Sequence, residues 1–344
     1  MGAVHLRDAD DCGKVHPNQM NDATTAPSDA PSQSKFLSWT LLFSCNLMWA
    51  LQFTCIKLVQ DQAGPLFTVW FPTAISLAVL YPFVVAERKK NGPPRTVING
   101  KKRPNLFAVY AVLCVFGVIP GQLFMTWGTR ISMASNAALL TLTLPITTAI
   151  FAVLFLKEKM TALRWASFAL AVVGIALCSG LDLHTVRFDR SQLVGNVLVF
   201  AAILGSSFYN SYGKAALDWH SPMEMLFWTY VGLTLLLTPF VVAQERQSIL
   251  NMPHFTATTW AGLGMLMLFH TTLSMILFLK ALKSIDAIQA ALSNYLIAFF
   301  GIPIAAIWLH EHINVMEILG GVLVLSSTLL ITLLEKPREE TVLP

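Results

Sequence analysis

The 344-residue chain is 55% apolar and only 12% charged, with a mean hydropathy of +0.61, values that exclude an ordinary soluble domain and make lipid its solvent. The net charge of +4 does not signal nucleic acid, because the Lys and Arg residues lie between apolar stretches rather than on one basic face. Cys12, Cys45, Cys55, Cys114 and Cys178 imply no disulfide framework, and those inside apolar stretches behave as small hydrophobes.

Residues 1–35 are rich in Asp, Ser, Pro, Asn and Gln and contain no apolar run, so they are expected to be a disordered tail and not a cleaved signal peptide. His5, Cys12 and His16 lack a fourth ligand or finger spacing, and neither a metal nor a cofactor is expected. Ten stretches then meet the requirement of about 20 mostly apolar residues per membrane crossing. They lie near 36–59, 65–86, 105–128, 133–155, 162–180, 192–215, 222–243, 258–282, 287–309 and 313–334. Each is predicted to be a helix, because backbone groups left unpaired in hydrocarbon cost several kcal/mol each. The expected fold is an all-α polytopic membrane protein of two inverted five-helix repeats, at 36–180 and 192–335. A linker at 181–191 joins them, and a short tail follows at 336–344.

Polar residues inside the spans mark candidate cavity walls, since exposing them to lipid is costly. In the first span Asn46, Trp49, Phe53 and Lys57 share one helical face, with Gln52 beside it. The basic connection at 87–104 reads as a cytoplasmic anchor. Gln122 and Trp127 are candidates in the third span. In the fourth, Thr141, Pro145 and Thr148 lie on one face, where Pro145 removes a backbone donor and frees a carbonyl. Ser206, Tyr209, Asn210 and Gly213 form the matching stripe in the sixth span. The eighth contributes His270, Thr271 and Ser274, and the ninth Asn294 and Tyr295. The same Ser, Asn and Gly residues would also serve simple helix packing, at about 0.6 kcal/mol per hydrogen bond.

The chain repeats internally. Ala134, Ala137, Ala138, Leu139, Ala152, Leu156 and Glu158 recur, 153 positions on, as Ala287, Ala290, Ala291, Leu292, Ala305, Leu309 and Glu311. Five spans per unit is an odd number, so the second unit must cross the membrane upside down. With the N terminus inside, Lys and Arg concentrate on the inner connections, leaving Arg130, Arg187, Arg190 and Arg246 outside, so both termini are expected in the cytoplasm. Glu158 and Glu311 fall at helix ends on opposite faces, where each is expected to cap the N terminus of the helix that follows it.

Several blocks together resemble the EamA-type, ten-span branch of the drug/metabolite transporter superfamily. The first span, Asn46 through Trp49 and Phe53 to Lys57, is similar to that family's opening, and Tyr209 to Leu217 looks like its second copy. Ser135 through Pro145 to Glu158 resembles the family's fourth-span hairpin, repeated from Ala290 to Glu311. The resemblance implies a secondary transporter of a small organic metabolite, an exporter or exchanger with alternating access around a midplane cavity. Its solute-contacting residues would come from Asn46, Trp49, Gln52, Gln122, Trp127, Thr141, Tyr209, Asn210, His270, Ser274, Asn294 and Tyr295. An Arg early in span two and a carboxylate in span one, used by relatives, are missing here. The expected partners are a small-molecule solute and membrane lipid, with monomer and homodimer both compatible and a plasma or inner membrane as the location. No Walker-type nucleotide run is present. His270 has no carboxylate near it in the spans, which argues against an intramembrane enzyme. A scaffold or receptor of the same fold that carries nothing is the remaining alternative.

Overall fold

A computed structural model describes residues 35–91, 97–98, 101–102, 104–131, 140–141, 143–178, 190–297, 299–300, 304 and 315–334. The first tail, the 181–189 part of the linker, residues 134–139 and residues 305–311 lie outside the described residues, and with them the second hairpin's Glu311. The main helices are α1 (Lys35–Val59), α2 (Pro65–Asn91), α3 (Leu106–Ile131), α4 (Leu144–Leu156), α5 (Ala162–Cys178), α6 (Arg190–Ala216), α7 (Pro222–Gln244), α8 (Ala257–Ser284), α9 (Ala287–Ser293) and α10 (Val315–Leu334), with a short helix at Arg246–Leu250 and a 3-10 turn at Met252–His254 between α7 and α8. Between α2 and α3, β1 (Val97–Ile98) pairs antiparallel with β2 (Lys101–Lys102).

Among the described residues six helices are long and apolar enough to cross a membrane: α1, α2, α3, α6, α7 and α8. Shorter apolar stretches run through α4, α5 and α10. The protein is therefore an all-helical polytopic membrane protein. Its outward surface carries large apolar side chains such as Phe83, Val173, Leu235 and Leu333, whereas small polar groups are buried between helices. Ser76 bonds Thr271 and Thr272 at 2.8 and 2.7 Å, and Thr147 meets Ser207. Such contacts hold membrane helices together where no hydrophobic effect separates protein from lipid tails.

The helix contacts are unchanged in kind when the two halves are exchanged. α1 packs on α8 and, in the equivalent place, α6 on α3; α4 packs on α6 as α9 does on α1. The equivalent helices α2 and α7, α4 and α9, and α5 and α10 pack on one another. α2 and α7 run antiparallel. Glu245, just beyond the end of α7, accepts from Leu66 N–H and Phe67 N–H at the start of α2, at 3.0 and 2.7 Å. Trp70 Nε1 donates to Thr238 Oγ1 at 2.9 Å, and Arg88 near the end of α2 pairs with Glu224 in the first turn of α7 at 2.7 Å. Antiparallel packing of equivalent helices is what an axis lying in the membrane plane produces.

α3 and α8 depart from regular α geometry. α3 contains π-helical turns at Leu113–Val118 and Pro120–Phe124, and α8 contains one at Leu266–Leu273. In α3, Pro120 has no N–H and its ring crowds the preceding turn, which a widened turn relieves. In α8 three hydroxyls compete for carbonyls: Thr271 and Thr272 both donate to Met267 O at 2.8 Å, and Ser274 donates to His270 O. Pro145 lies in the first turn of α4, where no backbone donor is needed, so its missing N–H frees no carbonyl within α4.

A central cavity as candidate functional site

Where the two halves meet, a cavity of about 110 Å³ is walled by α1, α3, α4, α6, α7, α8 and α9. The stripe on α1 supplies Trp49, Gln52 and Phe53, and that on α6 supplies Ser206, Tyr209 and Asn210. Gln122 enters from the irregular part of α3 and His270 from the π turn of α8. His270 Nε2 lies 3.0 Å from Gln122 Oε1, so one hydrogen bond joins the two equivalent helices across the cavity. Tyr230 on α7 faces the same space and donates to Thr271 O at 2.7 Å. Trp49 and Phe278 pack with ring centroids 5.0 Å apart.

The structure thus brings together Trp49, Gln52, Gln122, Thr141, Tyr209, Asn210, His270 and Asn294. Four other sequence-selected residues lie apart from the cavity wall. Asn46 is fully buried, with its amide nitrogen donating to Leu42 O at 2.8 Å and to Ser293 Oγ at 3.0 Å. Trp127 is 39% exposed on the outer side of α3. Ser274 bonds back to its own helix, and Tyr295 is buried against Phe168. Gly213, Pro145 and Thr148 also fall outside the wall.

Gly117 and Gly121 of α3, and Tyr230, Met275 and Phe278, also line the cavity without having stood out in the sequence. The two glycines had a usable signal, because Gly117-Val-Ile-Pro-Gly121 has the small-xxx-small spacing that lets membrane helices approach closely. α6 does approach there: a Cβ on Gly121 would stand 2.9 Å from Ser206 Oγ.

At one face beyond the cavity lies a buried charged cluster. Lys157 ends α4 in the left-handed region at φ 54°, turning the chain so that Glu158 points across to the other half. Glu158 accepts from Ala287 N–H at 2.9 Å and Ile288 N–H at 3.1 Å. It therefore caps α9 of the second repeat, not the helix that follows it as the sequence had suggested. Arg164 bridges the same two halves, 2.8 Å from Asp286 and 3.9 Å from Glu158. Lys214 donates to Leu282 O at 2.6 Å. Burial, reinforced by the nearby Asp286 charge, pushes the Glu158 carboxyl above the usual carboxylate range, against the two N–H bonds and Arg164. On the opposite face Gln62 Oε1 accepts from Thr256 N–H and Thr259 Oγ1, and Arg130 donates to Ala63 O.

Repeat organisation, an apolar exterior and a central cavity with a few polar groups in its wall are the features expected of a membrane transporter. Residues 37–180 and 193–333 each match the EamA-like transporter family, and the chain belongs to that family. A probable terminal-alkyne amino-acid exporter of Streptantibioticus cattleyicolor is 25% identical, the match covering 85% of this chain and 92% of that protein. An S-adenosylmethionine uptake transporter of Rickettsia bellii is also 25% identical, over 86% of this chain and 95% of its own length. A solved crystal structure at 14% identity superposes with a TM-score of 0.66, covering 86% of this chain and 96% of the other, and so shares the fold.

Proposed function

We propose that this transporter works as a secondary carrier, moving one small organic solute by alternating access as its two repeats rock about the central cavity. The observation that carries this reading is the cavity itself, walled by equivalent helices of both repeats at the level where α3 and α8 are irregular. Irregular backbone at membrane depth is tolerated where it lines a cavity, and there it supplies polar groups a regular helix would keep to itself. The cluster of Glu158, Arg164 and Asp286 acts as the seal of one face, because it ties the first repeat's hairpin directly to the start of α9.

The two relatives named above bear names of opposite sense, one a probable exporter and one an uptake transporter, and both named solutes are small organic molecules. The Lys and Arg distribution supports both termini in the cytoplasm, which puts the Glu158 seal on the inner side. Reconstitution into sealed vesicles tests the reading. Radiolabelled neutral amino acids, S-adenosylmethionine and nicotinamide are offered under counterflow, and at least one is expected to accumulate several-fold above protein-free vesicles. Binding with no flux of any of them would instead fit a receptor or scaffold.

A further inference from the structure

Asn294 is the least explained polar residue of the cavity wall. It is only 6% exposed, it lines the cavity, and neither its amide nitrogen nor its amide oxygen has a hydrogen-bond partner. Trp49 Nε1, on the wall formed by α1, is likewise buried without a partner. Asn46 differs in that its amide nitrogen is engaged by Leu42 and Ser293 in helix packing, so that only its amide oxygen is without a partner. A buried carboxamide with both ends free is complementary to another amide-like edge, where a donor stands beside an acceptor and two parallel bonds satisfy both sides.

Charge narrows the ligand further. None of the described residues lining the cavity is Asp, Glu, Lys or Arg, so an ionised group would enter low-dielectric surroundings without a counter-charge. The ring faces of Trp49, Tyr230 and Phe278 suit a flat apolar body. A volume of about 110 Å³ is also well below the roughly 300 Å³ at which pockets begin to take drug-sized ligands. Resting on the transport reading above, we propose that the cavity selects a small, net-uncharged solute with a donor beside an acceptor on a flat edge, as in a ring carboxamide. Asn294 pairs with that edge and Trp49 donates to a second acceptor.

Nicotinamide and nicotinate make a matched pair of probes, alike in shape but differing in charge and in the donor. Calorimetric titration of the purified full-length protein is expected to give nicotinamide at least tenfold tighter than nicotinate, and tighter than zwitterionic L-serine. Asn294→Leu should weaken nicotinamide at least tenfold. Trp49→Phe, which keeps a ring but removes the N–H, should weaken it several-fold while eluting and melting like the parent. Equal binding of nicotinate or L-serine overturns the proposal, as does unchanged nicotinamide affinity in both variants. Binding of nicotinamide with this selectivity but no flux of any solute would support the ligand class and sink the transport reading; flux of other solutes without nicotinamide preference would do the reverse.

Discussion

At the residue scale the decisive group is Glu158. Its carboxyl is held above the usual carboxylate range while it caps α9 across the repeat boundary. Opening that face would return it to water and to its ordinary acidity. Between the ordinary value and the raised one, the sealed form therefore binds a proton that the open form does not, and lowering pH through that window favours sealing. Hydrogen exchange at the Ala287 and Ile288 amides, corrected for intrinsic rate, should slow relative to neutral pH as the solution is acidified. Glu158→Gln should remove that dependence, and faster corrected exchange in acid would contradict the assignment. The sequence disclosed the residue but not its partner, since α9 lies over a hundred positions away and only the folded chain brings Ala287 to it.

Among elements, the crossing of α3 with α6 sets how tightly the cavity is framed. A Cβ on Gly128 would stand 2.7 Å from Val199 Cγ2 and 2.8 Å from Gly195 O, backbone included, so the neighbour cannot simply swing away. Gly128→Leu should cost about 1–3 kcal/mol or more through overpacking, read as a lower thermal midpoint. Ser76→Ala, which removes one hydroxyl from the contact of α2 with α8, should cost only about 0.6 kcal/mol. The long spans were legible because an uninterrupted apolar run of membrane length has few other uses. The π turns were not, because Pro120 and the hydroxyls of α8 act through local carbonyl competition that a hydropathy pattern does not register. Pro145 misled for a related reason: its effect depends on whether it falls in the first turn or the middle of a helix, and the boundary was beyond sequence reading.

For the whole molecule, duplication and inversion were readable from the recurring alanines and the odd number of spans, and the antiparallel contact of α2 with α7 agrees. The stripes on α1 and α6 located much of the cavity, since a polar face in lipid needs an interior to meet. Asn46 and Ser274 were separated from it only by their hydrogen bonds to other helices or to their own backbone. The most direct test is reversible locking of the Glu158 face. Cysteines at Glu158 and Ala287, in a protein whose native cysteines are replaced by alanine, are joined by a short reducible cross-linker in vesicles. Alternating access predicts that solute flux stops when the link forms and returns when it is reduced. Undiminished flux through fully cross-linked protein would contradict it.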